Sequence, residues 1–238
     1  LCQADLLEDA WNGTGQFEGT EPIRGFGAVA GVYEEACQIV VRADSEISTV
    51  EELEGHRVSV GEEESGTKQN ALQILAAYGL NEKLVEEVSL NYTEAAKELE
   101  NGSIDAFFCT AGAQTAAIAN LAQRTGIRFL NVDGAAAARL KKSYPVYDSC
   151  IIAAGTYPGQ EEDVSTVGVK AVLLASDSVS AEVVEELTAL LFEEQQELDF
   201  ALPVELITDA DAAADGISVP FHKGAERYYE SRGEKSEN

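Results

Sequence analysis

Two hydroxyl side chains and a glycine stand where a strand pattern gives way to a helix pattern. Ser65, Gly66 and Thr67 follow the β-branched run that ends at Gly61, and Asn70 lies one helical turn further on. The first N–H groups of a helix carry partial positive charge and have no partners within the helix, so hydroxyls and an amide beside them suit a small anion. These residues predict an anion-binding loop; simple capping of the helix by Ser65 or Thr67 is the alternative.

A second stretch repeats this design. In residues 107–117, FFCTAGAQTAA, a strand pattern ends at Cys109, and Thr110, Ala111 and Gly112 are predicted to form the turn into an alanine-rich helix. In a parallel sheet the carboxyl ends of the strands meet at one edge, where open α/β folds bind ligands. The two stretches together therefore predict a ligand cleft.

Three glutamates precede the first loop. Glu62, Glu63 and Glu64 would repel an anion, so an anion site requires their side chains to point to solvent, where each stabilises the helix start by about 0.3–1 kcal/mol. A calcium site is the alternative, but no Asp-x-Asp-x-Asp-Gly loop accompanies them. The sequence predicts no metal site and no cofactor.

Catalytic chemistry has little support in the residue types. The two histidines, His56 and His222, do not accompany a serine, cysteine or carboxylate at a catalytic spacing, and no nucleotide-binding, hydrolase or zinc motif occurs. We therefore predict a protein that is not an enzyme.

The four cysteines each lie in or beside an apolar run, without a CxxC pair. This placement predicts buried thiols that act as small apolar side chains. Disulfides are the alternative, and they would join Cys2 with Cys37 or Cys109 with Cys150.

Alternating strand and helix patterns position the two loops. Strands are predicted over residues 57–61, 85–90, 104–109 and 127–132, and helices over residues 66–79, 91–102 and 111–126, with a short helix ending before Pro145. This alternation is typical of β/α units. It predicts the α/β fold class, with a layer of about four parallel strands.

Extended runs flank this layer at residues 35–44, 149–159 and 167–176, and a long acidic helix is predicted over residues 181–198. The later helices need a sheet to cover, and few strands remain to build it. We therefore expect the first of two lobes to be incomplete, with its other part ahead of Leu1. The absence of methionine likewise predicts a fragment or a processed product.

Composition excludes several function classes. With 238 residues and 45% hydrophobic content, the chain can bury one large core or two smaller ones. Asp and Glu number 43 against 16 Lys and Arg, and the formal charge of −27 repels nucleic acid and anionic lipid. Such acidity is typical of salt-tolerant proteins, or simply of a solvated surface. No apolar run approaches the roughly 20 residues of a membrane span.

Four stretches resemble, in the same order, the TAXI proteins, the TRAP-associated extracytoplasmic immunogenic solute-binding proteins. They are SVGEEESGTKQNALQILAAYGL, GSIDAFFCTAGAQTAAIANLA, AGTYPGQEEDVSTVGVKAVLLA and VPFHKGAERYY. Each motif alone is a weak match to the family, whereas the four motifs in this order are specific for it. The resemblance implies a periplasmic-binding-protein type II fold, with two α/β lobes joined by hinge strands at residues 35–44 and 165–175. Lobe I would comprise residues 1–45 and 161–238, N-terminally incomplete, and lobe II residues 46–160.

The resemblance also implies the binding residues. The family's ligand-contacting loop falls on Ser65, Gly66, Thr67 and Asn70, and its second turn falls on residues 110–112, which are Thr110, Ala111 and Gly112. LCQAD at the start is similar to a strand end of the family and makes Gln3 a candidate. The family's glycine-rich opening has no counterpart in the chain.

The function implied is that of an extracytoplasmic solute receptor, in the periplasm or at the outer face of the membrane. It would capture a small organic acid or an amino acid, with glutamate or 2-oxoglutarate as first candidates, and present it to a TRAP membrane permease. A monomer is expected. The alternatives are a receptor for sensing or for an ATP-driven importer, and a truncated product that binds nothing.

Overall fold

The structure, a computed structural model, describes residues 1–194 and 204–236. Within them the chain forms eight strands: β1 (Cys2–Gln3), β2 (Phe26–Arg42), β3 (Arg57–Ser59), β4 (Glu86–Val88), β5 (Ala106–Ala111), β6 (Ile127–Phe129), β7 (Asp148–Ile152) and β8 (Val164–Ser176). The same residues form eight α-helices: α1 (Ala4–Asn12), α2 (Gly66–Ala77), α3 (Tyr92–Asn101), α4 (Ala116–Arg124), α5 (Gly134–Ser143), α6 (Ala181–Glu193), α7 (Ala210–Ala214) and α8 (Lys223–Ser236).

The chain divides into two compact units. Unit 1 comprises Leu1–Glu34 and Lys170–Asn238, and unit 2 comprises Glu35–Val169. The chain therefore passes from one unit to the other twice, once within β2 and once within β8. The lobe boundaries implied by the resemblance remain a prediction.

Unit 2 contains an open, mixed sheet in which β4, β3, β5 and β2 are neighbours in this order, β6 also pairs with β2, and β7 pairs antiparallel with residues 164–168 of β8. β3 pairs in parallel with β4 and β5, whereas β2 runs antiparallel to both β5 and β6. β6 consequently runs in the direction of β5 but is separated from it by β2. The α/β class is confirmed. The four strands predicted as parallel are β3, β4, β5 and β6, which all run in one direction, but antiparallel β2, predicted as a flanking run, lies between β5 and β6.

The two faces of this sheet carry separate apolar cores. Successive side chains of β5 point to opposite faces. Phe108 packs with Ile74 of α2 and Leu140 of α5, and Phe107 packs with Leu99 of α3 and with α4. The helices therefore cover both faces of the sheet, and the ends of its strands lie at the edges of the sheet.

Local caps define the first two helices of unit 2. The Ser65 hydroxyl accepts from the backbone N–H of Lys68 at the start of α2. Asn91 and Glu94 form a capping box at the start of α3, and Gly102 ends that helix in the left-handed conformation. The helices predicted over residues 66–79 and 91–102 are confirmed within two residues.

Three predicted elements have different bounds. The helix predicted from residue 111 begins only at Ala116, because β5 continues its pairing with β2 to Ala111. The extended run predicted over residues 149–159 is a strand only in β7, Asp148–Ile152. The acidic helix predicted over residues 181–198 ends at Glu193 in α6, and residues 195–198 lie outside the described residues.

Unit 1 is built around the N-terminal part of β2 and the later helices. β1 pairs antiparallel with Ala171 and Val172 of β8. Val29 of β2, Val184 of α6 and Ala225 of α8 form a buried cluster. Helices α6 and α8 thus cover the strand through small and branched side chains.

Candidate functional site

Two loops of unit 2 meet at one edge of its sheet. β3 and β5 are adjacent parallel strands, with Ser59 opposite Phe107. Residues 60–65 follow the carboxyl end of β3, and residues 112–115 follow the carboxyl end of β5. We call these the first loop and the second loop. Their position is the edge at which open α/β sheets bind ligands.

The Ser65 side chain caps α2. The sequence offered capping as the alternative to ligand binding at this residue. Its hydroxyl donates to the Glu62 carbonyl at 2.7 Å and accepts from the Lys68 N–H at 3.1 Å. This hydroxyl fixes the turn from the first loop into the helix. The remaining N–H groups of the first turn are those that a helix leaves without intrahelical partners.

Thr67 joins three elements beside the two loops. The residue is 4% exposed, and its hydroxyl oxygen lies 2.5 Å from the Tyr92 hydroxyl and accepts from the Thr110 N–H at 3.4 Å. Because the Tyr92 hydroxyl donates its one hydrogen to the Thr110 carbonyl at 2.9 Å, the Thr67 hydroxyl is the donor to Tyr92. One buried contact therefore joins α2, α3 and the end of β5.

Gly61 allows this packing. Its φ of +98° suits glycine, and a Cβ there would lie 2.9 Å from both Cβ and Cγ2 of Thr67. The break in the strand pattern at Gly61 thus serves the close approach of the first loop to α2.

Asn70 is buried, and its amide bonds within the protein. The residue is 0% exposed and its Nδ2 donates to the Tyr147 hydroxyl at 2.7 Å. The Tyr147 hydroxyl in turn donates to the Gln73 side chain at 2.6 Å. Asn70 therefore joins α2 to the segment after α5, a contact that the sequence did not predict.

The residues predicted as the second turn occupy different elements. Thr110 and Ala111 lie inside β5, opposite Cys37 and Ala36, and Thr110 Oγ1 donates to the Cys37 sulfur at 3.6 Å. Gly112 opens the second loop, and its carbonyl accepts from the Thr115 hydroxyl at 2.9 Å. The turn into α4 is thus longer than predicted, and Thr110 does not form part of it.

Gln3 lies in unit 1, as the last residue of β1. It pairs with Ala171 and directly precedes α1, whose N-terminus it does not cap with its side chain. Its place at a strand end agrees with the position that the resemblance gives it, and its role in binding stays a prediction.

The three glutamates of the first loop are exposed. The Glu63 carboxylate contacts Lys68 Nζ at 2.6 Å and accepts from the Ser89 hydroxyl at 2.7 Å, and these two partners lower the pKa of Glu63. One of the three negative charges is thus paired with a cation on α2, which weakens the local field opposing an anion.

Both loops contain a strained residue. In the described ranges, residues 1–194 and 204–236, two residues other than glycine have positive φ: Glu64 at 59° and Gln114 at 66°. Each lies in one of the two loops. A residue other than glycine adopts this backbone conformation at a cost in free energy. Residues strained in this way cluster at ligand sites.

Burial raises the pKa values of hydroxyl and thiol groups beneath the loops. Desolvation raises the pKa of Tyr92 and Tyr157, and it raises the pKa of the Cys109 thiol to about 12. Cys2 and Cys150 are only half-buried, so the prediction of four buried cysteines is wrong for these two, whereas Cys37 and Cys109 are buried, as predicted. A thiol so buried is a poor nucleophile at neutral pH.

Neither metal binding nor membrane crossing has support in the described ranges. Among residues 1–194 and 204–236, no group of three His, Cys, Asp or Glu side chains is placed to hold a metal ion. Over those same ranges, no helix is both long and apolar enough to cross a bilayer.

Several solved structures with a similar fold are those of solute-binding proteins. A TctC solute-binding protein from Polaromonas has a TM-score of 0.51 at 15% identity, covering 98% of this chain and 77% of that one. The periplasmic aliphatic sulphonate binding protein SsuA from Escherichia coli has a TM-score of 0.45 at 19% identity, covering 83% of this chain. An ancestral arginine-binding protein bound to glutamine has a TM-score of 0.41 at 16% identity, covering 95% of this chain and 74% of that one.

The chain spans 63% of the length of the Escherichia coli protein. The fold shared with the TctC solute-binding protein confirms the predicted class, an α/β fold with an open sheet of the periplasmic-binding-protein type II. The model of the NMT1-like family matches residues 1–233. The chain therefore belongs to the NMT1-like family.

Proposed function

We propose that this protein is an extracytoplasmic solute receptor of the TAXI type, which delivers a small organic acid or an amino acid to a TRAP-type permease. The observation that carries the proposal is the NMT1-like family match over residues 1–233, on a chain with the fold of the TctC solute-binding protein. Glutamate and 2-oxoglutarate are the first candidate ligands, from the family resemblance.

We further propose that the ligand carboxylate binds at the start of α2. The first N–H groups of α2, at Gly66 and Thr67, point along the helix axis toward the loop edge, where the helix dipole favours negative charge. Because the side chains of Ser65, Thr67 and Asn70 have partners within unit 2, we assign contact with the ligand mainly to backbone N–H groups. The second loop, residues 112–115, would supply the opposite wall.

Isothermal titration of the chain against L-glutamate, L-glutamine, 2-oxoglutarate, succinate and Ca²⁺ tests this function. If the gene encodes residues ahead of Leu1, the longer product is titrated in parallel. We expect saturable binding of at least one of the four organic compounds. Binding of Ca²⁺ alone, by either product, would contradict the anion site and point to the glutamates of the first loop.

The position of the site is tested with Thr67→Val and Thr67→Ser. Valine keeps the shape of Thr67 but removes the hydroxyl that joins the start of α2 to α3 and to the end of β5, so affinity should fall about tenfold or more, and serine should restore most of it. Thr188→Val is the matched control, because the Thr188 hydroxyl is equally buried in α6 and donates to the Val184 carbonyl at 2.6 Å. Equal affinity losses in Thr67→Val and Thr188→Val would refute a site at α2.

A further inference from the structure

Two buried polar side chains hold the second loop, residues 112–115, from within the core. Tyr157 is 1% exposed, and its hydroxyl accepts from the Thr115 N–H at 3.0 Å and donates to Gln38 Oε1 at 2.6 Å. Gln38 is also 1% exposed, and its Nε2 lies 3.4 Å from the Ala111 carbonyl and 3.4 Å from the Thr115 hydroxyl. The backbone is thus held on both sides of the loop.

The Tyr157 ring is itself fixed in place. It packs on Phe129 of β6 with ring centroids 5.2 Å apart, and its backbone N–H donates to Gln160 Oε1 at 3.3 Å. Gln160 Nε2 reaches the carbonyls of Ile152 and Ala153, both at 3.1 Å. The phenol hydroxyl therefore meets Thr115 from a position determined by the sheet.

Such an arrangement needs a reason other than core stability. Tyr157 lies in the apolar cluster of Phe107, Leu121 and Ile118, with Gln38 close by. A polar group buried there is costly unless it is fully hydrogen-bonded, and apolar side chains of similar size would fill the space without that requirement. What the polar pair adds is a fixed backbone at the loop that carries the strained Gln114.

We propose that Tyr157 and Gln38 are positioning residues, which hold the second loop in the shape that receives the ligand. This inference rests on the proposed function, since it assumes that the second loop forms one wall of the solute site. Neither residue touches the ligand. Their effect on affinity comes from ordering the loop before the ligand binds.

The test is Tyr157→Phe, titrated with L-glutamate, L-glutamine, 2-oxoglutarate and succinate at a temperature where the variant is fully folded. Affinity for the compound that wild type binds should fall about tenfold. Amide hydrogen exchange at Thr115 should accelerate, because its N–H loses its acceptor. The matched control is Tyr78→Phe: the Tyr78 hydroxyl also accepts from a backbone N–H, that of Asp133 at 2.9 Å, but at the opposite end of α2.

The outcomes are separable. A loss of affinity in Tyr157→Phe, with wild-type affinity in Tyr78→Phe, supports the positioning role. Faster exchange at Thr115 with unchanged affinity overturns it, because the loop would be released without consequence for the ligand. Wild-type protein that binds none of the four compounds overturns the proposed function, and the positioning role falls with it.

Discussion

At the scale of single residues, the side chains that the sequence singled out mostly shape the backbone of the site. Ser65 caps α2, Thr67 joins α2 to β5, and Asn70 reaches Tyr147. The cap is local and could be predicted from spacing. The partners of Thr67 and Asn70 could not, because Tyr92 and Tyr147 lie 25 and 77 residues further along the chain.

We expect Gly61 to be required both for its backbone conformation and for the close contact with Thr67. Gly61→Ala should destabilise unit 2 more than Gly55→Ala does. Both glycines have positive φ, at +98° and +80°, so each alanine costs about 1–2 kcal/mol of backbone strain, but only a Cβ at residue 61 meets a neighbour, Thr67. Urea unfolding of both variants measures the difference. Equal losses of unfolding free energy in the two variants would contradict this prediction, because they would show that Thr67 moves away from the added Cβ without a cost in stability.

The carboxylate of Glu63 is expected to contribute to acid sensitivity. Its contacts with Lys68 and Ser89 lower its pKa below the ordinary value of 4.5. A carboxylate with a lowered pKa in the folded state stabilises that state above its ordinary pKa, and this contribution disappears as the pH falls through the folded pKa. Between pH 5 and pH 3, Glu63→Gln should therefore lose less unfolding free energy than wild type.

Glu62→Gln is the control for that measurement, because it removes the same charge from the same loop. The pH dependence of its unfolding, followed by urea titration at each pH, should match wild type more closely. An identical response of the two variants would contradict a specific role for the Glu63 contacts.

At the scale of elements, helix ends that depend on local interactions were predicted well, and strand ends that depend on long-range pairing were not. α2 and α3 begin and end at local caps and were predicted well. The start of α4 was predicted five residues early, because pairing with β2 extends β5 to Ala111 and no local signal shows that pairing. The same long-range pairing places antiparallel β2 between β5 and β6, which hydrophobic periodicity cannot reveal.

The contact between α6 and α8 is expected to depend on Gly224. A Cβ at Gly224 would meet the Ala181 carbonyl oxygen and would lie 2.6 Å from the Glu185 nitrogen. Because these are backbone atoms of α6, one helix must shift, and Gly224→Ala should cost about 1–3 kcal/mol of unfolding free energy. Lys223→Ala, at an exposed neighbour, should cost far less in the same thermal or urea unfolding experiment. Similar costs would mean that the helices separate easily.

At the scale of the whole molecule, the acidic surface dominates the response to solvent. The formal charge of −27 on 238 residues loosens the folded state through self-repulsion. The screening length falls from about 10 Å at 0.1 M salt to about 3 Å at 1 M, so the thermal midpoint should rise over this range of NaCl. Sucrose at matched osmolality is the control. A midpoint that sucrose raises as much as NaCl does would exclude charge repulsion as the cause.

The division into units could be anticipated only in outline. Composition allowed one core or two, and the succession of motifs over most of the chain carried the fold class. The family resemblance implied hinge strands at residues 35–44 and 165–175. Hydrophobic periodicity alone did not indicate a crossing inside β2 or β8, because a strand that serves two cores shows one continuous apolar run.

The order of the units along the chain has a consequence for biosynthesis. Unit 2 is one continuous segment, Glu35–Val169, whereas unit 1 joins Leu1–Glu34 to Lys170–Asn238. As the chain emerges from the ribosome or on the outer side of a membrane, N-terminus first, unit 2 is therefore complete before the second segment of unit 1. The first segment of unit 1 must wait, with its share of β2 exposed, until the last helix has been made. Chaperone capture in the cell should thus fall on residues 1–34 of the nascent chain.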